Sequence, residues 1–406
     1  MNQKKLRIAM VIDTLDSKGG GIISTKRFID LLRKEGHEVV VISTGSKENN
    51  KVLLPKFYPP FGKKIMKKMK IVFAWPIEEK INKAIENVDL VHVQLPFYLS
   101  IKTIELAEKK NLPIVSSFHV QAENITQNLK INSQKMINQI YKFFVNKIYN
   151  KSDLVICPSL FAEEELKKYG LKAPSKIISN GYTEEFSPQI FKKKYATKFV
   201  LLMVGRLAAE KHQEKIIEAV TISKHKKNIK LILVGNGPLK QQLKNLCRKK
   251  SCKAVFLHNI STKKLVRLYN TSELYVHSGE VELEGMTILE AMACGLPPLI
   301  SNAEKSASKQ FALDERSLFE KNKIVDLAAK IDYWYEHRLE LLKAKEKYLD
   351  LAKQFNIKAS VKKLEETYEE AIKLKTTKRL EERTNQENGS SWTNFLQKIS
   401  LSKFKN

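Results

Sequence analysis

The chain has 406 residues, of which 43% are hydrophobic and 29% are charged, with 15 glycines and 12 prolines. That length allows two domains with separate cores, and the glycine and proline content excludes a collagen-like or low-complexity protein. No apolar run approaches the roughly 18 residues of a membrane-spanning helix. Asp13 interrupts the apolar stretch near the N-terminus, which argues against a signal peptide. We therefore expect a cytoplasmic protein.

Lysine and arginine outnumber aspartate and glutamate by 72 to 44, which gives a formal net charge of +28. Such a surface attracts polyanions, and nucleic acid and an anionic membrane are the two usual candidates. The codon bias of an AT-rich genome is the alternative explanation. There is no CxxC pair and no histidine cluster at zinc-finger spacing, so we expect free thiols and no metal site. The four cysteines are Cys157, Cys247, Cys252 and Cys294.

Strands and helices alternate along the first half of the chain. Residues 6–13 form an apolar run that ends in the turn SKGGG, a helical pattern follows, and HEVVVIST is a second buried strand. The alternation continues through DLVHVQ, PIVSSFH and DLVICPS, with helical patterns between them. Such alternation predicts a parallel sheet covered by helices on both faces.

A second alternating series follows the segment KIISNGYTEEFSP, whose glycine turn and proline predict a crossover between domains. This series begins with KFVLLMVGRL and ends with LPPLIS, and residues 320–380 have helical patterns. Residues 383–391 are polar enough for a linker. We therefore predict an α/β fold of two Rossmann-like domains, residues 1–184 and 185–372, followed by a helical tail and linker over residues 373–406.

A glycine cluster lies between the first predicted strand and helix. Gly20 and Gly21 would let backbone N–H groups approach a phosphate or substrate at the start of the helix. A merely tight turn is the alternative. The spacing is neither GxGxxG nor GxxxxGK[ST], so a nicotinamide cofactor is not supported.

Two cations follow the first strand of the second series. Arg206 and Lys211, in VGRLAAEK, would face the crevice where α/β proteins bind ligands. They could neutralise a diphosphate, the arginine as a fork and the lysine as a point charge. Solvated surface charges are the alternative. Gly235 and Gly237, in LVGNGP, form another strand-end turn where a nucleotide could lie close to the backbone.

The most informative segment is HSGEVELEGMTILEAMACGLPPLIS. Its strand-to-helix loop includes the carboxylates of Glu282 and Glu284, and backbone N–H groups at the start of the next helix offer an anion site. A further carboxylate, that of Glu290, lies among apolar residues inside the helix, so we expect it to hydrogen-bond a ligand rather than water. The candidate donor-binding residues of this segment are Glu282, Glu284, Gly285, Met286, Thr287 and Glu290.

With these motifs in order, the chain resembles the retaining glycosyltransferases of the large family four, in the glycogen synthase-like clan with the GT-B fold. The resemblance covers roughly residues 6–370. It rests on two glutamates eight positions apart followed by AMACGLP, on the GR…K pair, on SNGYTEEFSP at the crossover and on the glycine loop. It implies two Rossmann-like domains facing each other across a cleft, with C-terminal helices. It also implies a nucleotide-sugar donor, UDP-sugar being the commonest, and no cofactor or metal.

The resemblance implies roles for individual residues. Arg206 and Lys211 match the pair that holds the donor diphosphate. Glu290 matches the residue that hydrogen-bonds the donor ribose, and Glu282 matches the carboxylate near the transferred sugar. His119, in SSFHVQAEN, matches the histidine that contacts the sugar near the reacting carbon, although by itself it would be a packed strand-end residue. We therefore predict His119 and Glu282 as catalytic residues.

The chain departs from the family pattern at one place in this segment. Many relatives carry Ser-Phe where this sequence has Leu283 and Glu284. The extra carboxylate leaves the donor sugar open, and also which glutamate lies closest to it.

Two segments suit an anionic membrane surface. FYPPFGKKIMKKMKIVFAW interleaves five lysines with apolar and aromatic residues, although an acceptor-loop helix is the alternative. In SSWTNFLQKISLSKFKN, the apolar residues share one helical face and would form an interfacial anchor or dock on the first domain. The candidate membrane- or acceptor-binding residues are Lys63, Lys64, Lys67, Lys68, Lys70, Trp75, Trp392 and Phe395.

These observations predict a retaining hexosyltransferase on the inner face of the plasma membrane, similar to bacterial diacylglycerol glucosyltransferases. It would transfer glucose, as the best candidate, from a nucleotide sugar to a membrane lipid such as diacylglycerol. The alternative acceptors are a lipid-linked polysaccharide intermediate and a protein, and a catalytically inactive sugar-binding relative is a further alternative. A basic nucleic-acid-binding protein is a distant alternative from another class. Nucleic acid is not an expected partner, because no helix-turn-helix, RNA-recognition or zinc signature accompanies the charge.

Overall fold

The computed structural model describes residues 4–16, 19–58, 72–129, 131 and 133–402, without the side chains of 128 and 382–402. The strands of the first half are β1 (Arg7–Thr14), β2 (Glu38–Thr44), β3 (Lys51–Leu53), β4 (Lys56–Phe57), β5 (Phe73–Ala74), β6 (Leu90–Val93), β7 (Ile114–Ser117), β8 (Leu154–Cys157) and β9 (Ser175–Ile177). The helices between them are α1 (Gly20–Lys34), α2 (Glu78–Ala84), α3 (Tyr98–Lys109), α4 (Ala122–Asn128), α5 (Gln134–Lys147) and α6 (Leu160–Lys168).

Seven of these strands form one parallel sheet in the order β3-β2-β1-β6-β7-β8-β9. β4 and β5 pair with each other as a short antiparallel hairpin. β1 is buried at every position after Arg7, as expected for a strand that packs against helices on both faces. The chain runs outward from β1 in one direction and from β6 in the other, so the topological switch point lies between these two strands.

The second half repeats this architecture. Its strands are β10 (Phe199–Val204), β11 (Ile229–Val234), β12 (Val255–Leu257), β13 (Leu274–His277), β14 (Pro298–Asn302) and β15 (Leu318–Glu320). They form a parallel sheet in the order β12-β11-β10-β13-β14-β15, with the switch point between β10 and β13. The helices are α7 (Gln213–Ile222), α8 (Lys240–Lys249), α9 (Thr262–Thr271), α10 (Met286–Ala293), α11 (Ile324–Glu336) and α12 (Arg338–Lys353). The predicted α/β fold of two Rossmann-like domains is therefore confirmed.

The last helix, α13 (Ile357–Ser402), crosses back to the first domain. Apolar residues of its first four turns, including Leu364 and Ala371, pack in one cluster with Ile8 and Leu32 of the first domain. The Tyr368 hydroxyl is 2.8 Å from His92 Nδ1. Residues 357–371, which the sequence pattern places with the second domain, thus complete the core of the first.

The predicted linker over residues 383–391 is wrong, because the backbone of α13 is helical throughout this range. Six of these nine residues are Thr, Asn, Gly or Ser, which are poor helix formers, so local propensity does not account for the helix. Trp392 and Phe395 lie on this helix, but their side chains are outside the described part of the chain.

The aromatic residues that flank the lysine-rich segment cluster on the β4–β5 hairpin. Trp75 is 45% exposed, and its ring centroid lies 5.0 Å from that of Phe57 and 5.8 Å from that of Tyr98. The five predicted lysines, Lys63, Lys64, Lys67, Lys68 and Lys70, lie outside the described residues. Within the described residues, none of the helices is both apolar enough and long enough to cross a membrane.

Candidate active site

The glycine loop of the first domain contacts both the predicted catalytic histidine and the second domain. A Cβ atom added to Gly21, near the start of α1, would lie 2.8 Å from His119 Cβ. One added to Gly20 would lie 3.7 Å from the Met286 sulfur, at the start of α10. The carboxyl ends of the two sheets therefore meet here, where open α/β sheets bind ligands.

His119 follows β7 and is an uncharged polar group of the first-domain wall. Its Nε2 atom lies 3.1 Å from Gln94 Oε1, and the Thr25 hydroxyl lies at the same distance, 3.1 Å, from that oxygen. Burial lowers the pKa of His119 to about 4. The imidazole is therefore neutral at physiological pH. It can contact a sugar or bind a hydroxyl group without adding a charge.

Lys211 and Glu282 form an ion pair on the second-domain wall. Lys211 ends a short 3-10 turn after β10, and Glu282 lies in the loop after β13. Burial alone would raise the pKa of Glu282, but the adjacent Lys211 ammonium outweighs it and holds this pKa below its ordinary value. His277 Nε2 is 3.8 Å from the same carboxylate, and burial with the Lys211 charge lowers the pKa of His277 to about 4. Glu282 is thus ionised beside a cation and a neutral imidazole.

Arg206 lies half-buried in the turn after β10, and no described carboxylate forms an ion pair with it. Its carbonyl oxygen accepts a 2.7 Å hydrogen bond from Gln213 Nε2, which fixes the turn. Gly235 and Gly237 pack against this turn. A Cβ atom would lie 1.8 Å from the Gly205 carbonyl oxygen at Gly235 and 2.2 Å from the Leu207 carbonyl oxygen at Gly237. Both glycines are therefore required by backbone packing, whether or not a nucleotide also lies there.

The N-terminus of α10 has the geometry of an anion site. Gly285 precedes the helix with φ of +110°, a conformation that favours glycine. The backbone N–H groups of Met286 and Thr287 belong to the first helical turn, which has no intrahelical acceptors for them. The Thr287 hydroxyl lies 2.7 Å from the Tyr275 hydroxyl, which fixes this turn against β13. Together with Arg206, the helix start can bind a diphosphate.

Glu290 forms an ion pair across the domain interface. Its Oε1 atom accepts a 2.7 Å bond from Arg27 of α1, and its Oε2 atom accepts a 3.2 Å bond from the Tyr269 hydroxyl. Arg27 also donates to the Gly181 carbonyl oxygen in the crossover segment, at 3.4 Å. Burial raises the pKa of Glu290, and Arg27 offsets part of that effect. A carboxylate oxygen accepts two hydrogen bonds, so Glu290 can also bind a ribose hydroxyl.

Glu284, the residue where the chain departs from the family pattern, contacts the crossover segment. Its Oε2 atom accepts bonds of 3.0 Å and 2.7 Å from the backbone and side-chain nitrogens of Asn180. Asn180 Oδ1 in turn accepts a 2.6 Å bond from the Ser24 hydroxyl of α1. Burial raises the pKa of Glu284 to about 7. Glu282 therefore lies beside Lys211, whereas Glu284 joins the two domains.

Sequence reasoning missed the residues that complete these contacts. Arg27, Gln94 and Asn180 lie far in the chain from the groups they bind, and none forms part of a recognisable spacing. Position in the sequence could have indicated two of them, since Gln94 follows a buried strand and Asn180 lies in the crossover motif. Among the described residues, no group of three or more His, Cys, Asp or Glu side chains is arranged to hold a metal ion.

Two family profiles match the chain, one for each domain. "Glycosyltransferase Family 4" matches residues 18–186, and "Glycosyl transferases group 1" matches residues 186–355. The chain is 25% identical over 321 residues to an alpha-monoglucosyldiacylglycerol synthase of Streptococcus pneumoniae, covering 72% of this chain and 70% of the relative. It is 21% identical over 309 residues to a GDP-mannose-dependent alpha-mannosyltransferase of Corynebacterium glutamicum, covering 73% and 72%.

The fold is also that of solved glycosyltransferase structures. The crystal structure of Anabaena HepE in complex with UDP-glucose matches with a TM-score of 0.73 and 16% identity, covering 90% of this chain and 100% of that chain. At this identity the likeness shows the fold alone. It confirms the predicted GT-B arrangement of two Rossmann-like domains.

Proposed function

The chain belongs to the two-domain glycosyltransferases, and from that premise we propose that it transfers a hexose from a nucleotide sugar to a membrane lipid. UDP-glucose is the first candidate for the donor and diacylglycerol for the acceptor. The observation that carries this proposal is that the carboxyl ends of the two sheets face each other and carry different chemical groups. One wall has Arg206, Lys211 and the α10 N-terminus, and the other has the neutral His119.

In the proposed reaction, the second domain holds the donor. Arg206 and the N–H groups at the start of α10 bind the diphosphate, and Lys211 stabilises the negative charge that grows as it leaves. Glu290 accepts a hydrogen bond from the ribose. The bond between the sugar C1 and the diphosphate oxygen breaks, and the acceptor oxygen bonds to C1 from the same face. The acceptor hydroxyl gives its proton to the departing diphosphate, and the proposed reaction includes no cofactor or metal ion.

Glu282 and His119 would act at the sugar. Positive charge develops on the ring as the diphosphate leaves, and the ionised Glu282 stabilises this charge. A neutral His119 contacts the sugar without repelling it. Both residues keep these charge states at neutral pH because of their surroundings, which supports the roles that the family resemblance implies.

Three observations support a lipid acceptor at a membrane surface. The Streptococcus pneumoniae relative is named as a synthase of a glucosylated diacylglycerol. The net charge of +28 favours an anionic surface. Trp75, Phe57 and Tyr98 form a partly exposed aromatic cluster, and Phe57 and Trp75 flank in sequence the segment that carries five lysines. We propose that this cluster and those lysines, with Trp392 and Phe395, bind the inner face of the plasma membrane peripherally.

The donor is the point on which the relatives differ. The Corynebacterium glutamicum relative is named as using GDP-mannose, whereas HepE was solved with UDP-glucose. A transfer assay separates these donors directly. Purified protein would be incubated with radiolabelled UDP-glucose, UDP-galactose, UDP-N-acetylglucosamine or GDP-mannose and with anionic liposomes that contain or lack diacylglycerol.

We expect label in the lipid phase only with UDP-glucose and only when diacylglycerol is present. Lys193→Met serves as a control for a lysine substitution away from the cleft. Lys193 pairs with Glu273 within the second domain, so this variant should transfer label as wild type does. Label in lipid from GDP-mannose alone would replace the proposed donor. Donor binding with slow hydrolysis and no lipid product would shift the acceptor to a lipid-linked saccharide or a protein.

A further inference from the structure

A second ion-pair cluster joins the two domains outside the predicted donor site. Lys305 of the second domain lies between β14 and the 3-10 turn Ala307–Phe311. Its Nζ atom is 3.5 Å from Glu123 Oε1 of α4 and 3.5 Å from Glu165 Oε2 of α6, both in the first domain. The side chains of Glu123 and Glu165 are only 7% and 1% exposed, whereas that of Lys305 is 38% exposed.

The two carboxylate oxygens that face Lys305 have no hydrogen-bond partner among the described residues. Their other oxygens are occupied, since the Tyr141 hydroxyl donates to Glu123 at 2.8 Å and Lys168 pairs with Glu165. Both carboxylates raise the pKa of Lys305 against the effect of its own burial, so it is a cation. A buried carboxylate without a cation is costly. For Glu123 the neutralising charge comes from the opposite domain, and for Glu165 it comes from both domains.

The backbone of Lys305 connects this cluster to both predicted catalytic residues. Its carbonyl oxygen accepts a 3.3 Å bond from the Glu282 backbone nitrogen, and the Ala307 nitrogen donates to the Glu282 carbonyl oxygen at 2.9 Å. The same Lys305 carbonyl oxygen accepts a 3.0 Å bond from Gln121 Nε2. Gln121 lies two residues after His119. The segment that carries Lys305 is therefore hydrogen-bonded to the Glu282 loop on one side and to the His119 segment on the other.

We propose that Lys305 is a positioning residue, which holds the Glu282 loop against the His119 segment by bridging Glu123 and Glu165 across the domain interface. Without the ammonium group, the closed arrangement leaves Glu123 buried without a cation and leaves Glu165 with Lys168 alone. Opening the domains hydrates both anions, so the open state gains population. Transfer needs residues of both domains. Donor binding is proposed to need only the second domain, which carries Arg206, Lys211 and Glu290. Loss of Lys305 should therefore slow transfer more than it weakens donor binding.

The test is Lys305→Met in the full chain, measured by kcat for transfer and by calorimetric donor Kd. We expect kcat to fall by about 10- to 100-fold, as for a displaced catalytic geometry, with donor Kd within about twofold. Lys168→Met is the matched control, because Lys168 pairs with the same Glu165 inside the first domain. It should leave kcat unchanged. An unchanged kcat in Lys305→Met, or an equal loss in kcat and donor affinity, would overturn the proposal.

A rescue experiment separates domain positioning from simple loss of folding. In the triple variant Glu123→Gln, Glu165→Gln, Lys305→Met no buried anion remains, so kcat should recover toward the wild-type value. A triple variant as slow as Lys305→Met alone would contradict the electrostatic argument.

The kinetic readout rests on the proposed transferase function, so solution scattering provides a readout that does not. Without donor, Lys305→Met should have a larger radius of gyration than wild type, and the triple variant and Lys168→Met should not. If scattering gives this result while no donor supports transfer, the proposed function fails and the domain bridge stands. An unchanged radius of gyration in Lys305→Met would contradict the proposed role of Lys305 between the domains, even if transfer is confirmed.

Discussion

The two walls of the cleft differ in the charge of their predicted catalytic groups. On the first-domain wall, burial lowers the pKa of His119 to about 4 and its nearest polar partner is the neutral Gln94. On the second-domain wall, Lys211 keeps Glu282 ionised by direct pairing. At the predicted catalytic residues, the first wall thus offers a hydrogen bond without charge, and the second offers a charged pair. The first-domain cation Arg27 pairs with Glu290 of the second wall. We infer that the second domain stabilises the charge of the leaving group, whereas His119 on the acceptor side is neutral.

Removing the cation from the charged wall should have the largest effect. In Lys211→Met, the departing diphosphate loses a stabilising charge and Glu282 loses its counterion, so we expect kcat to fall by about 100- to 1000-fold. The fold should persist, because Lys211 is a partly exposed residue at the cleft. The measurement is kcat at saturating donor with thermal unfolding as the folding control. Activity near wild type would remove Lys211 from the donor site.

Breaking the ion pair that joins the two walls should have the next largest effect. Arg27→Met leaves Glu290 buried without its cation, a change that typically costs about 3–5 kcal/mol of stability for a buried pair. The pKa of Glu290 should then rise further, so donor affinity should weaken as pH falls from 8 to 6. Calorimetric donor Kd at several pH values measures this effect.

Tyr269→Phe is the control for Arg27→Met, because it removes the other hydrogen bond to Glu290 without removing a charge. Its donor Kd should show no added pH dependence. If Arg27→Met and Tyr269→Phe behave alike, the charge of Arg27 has no special role at the donor site.

A smaller effect is expected from adding one methyl group to the neutral wall. The Cβ of Gly21→Ala would lie 2.8 Å from His119 Cβ and must displace it, whereas the Cβ of Gly20→Ala meets only the Met286 sulfur at an ordinary 3.7 Å. We expect Gly21→Ala to lower kcat by about tenfold through misplacement of His119. Gly20→Ala should stay near wild type. Equal kcat values in the two variants would show that the position of His119 does not limit transfer.

The sequence could predict what is local in the chain. Strand and helix alternation predicted both sheets, and the spacing of Glu282 and Glu290 placed one carboxylate in a loop and the other inside α10. Contacts between distant segments had no such signal, since Arg27 meets Glu290 across 263 positions. The predicted linker over residues 383–391 is helical in its backbone although its composition does not favour a helix. The association of Glu284 with Asn180 was likewise invisible, because nothing in the spacing says which way a buried carboxylate points.

The buried histidines and the buried Glu284 should give stability changes of opposite sign as pH varies. The pKa values of His92 and His119 are lowered by burial to about 3 and about 4, so the unfolded chain binds their protons more readily between those values and 6.5. Their contribution to stability is therefore lost as pH falls below 6.5. Glu284 is the reverse, because its pKa is raised by burial from 4.5 to about 7 and the folded state binds the extra proton. Its contribution is lost as pH rises from 4.5 to 7.

Glu284→Gln tests separately the loss of stability that Glu284 causes as pH rises. An amide keeps the size of the side chain and does not ionise, so the variant should lose less stability than wild type as pH rises from 5 to 7. Below pH 5, where the histidines dominate, the two proteins should lose stability in parallel. Thermal unfolding midpoints across this range measure both slopes in one series. Identical curves from pH 5 to 7 would mean that Glu284 is ionised in the folded protein and that Asn180 compensates its burial fully.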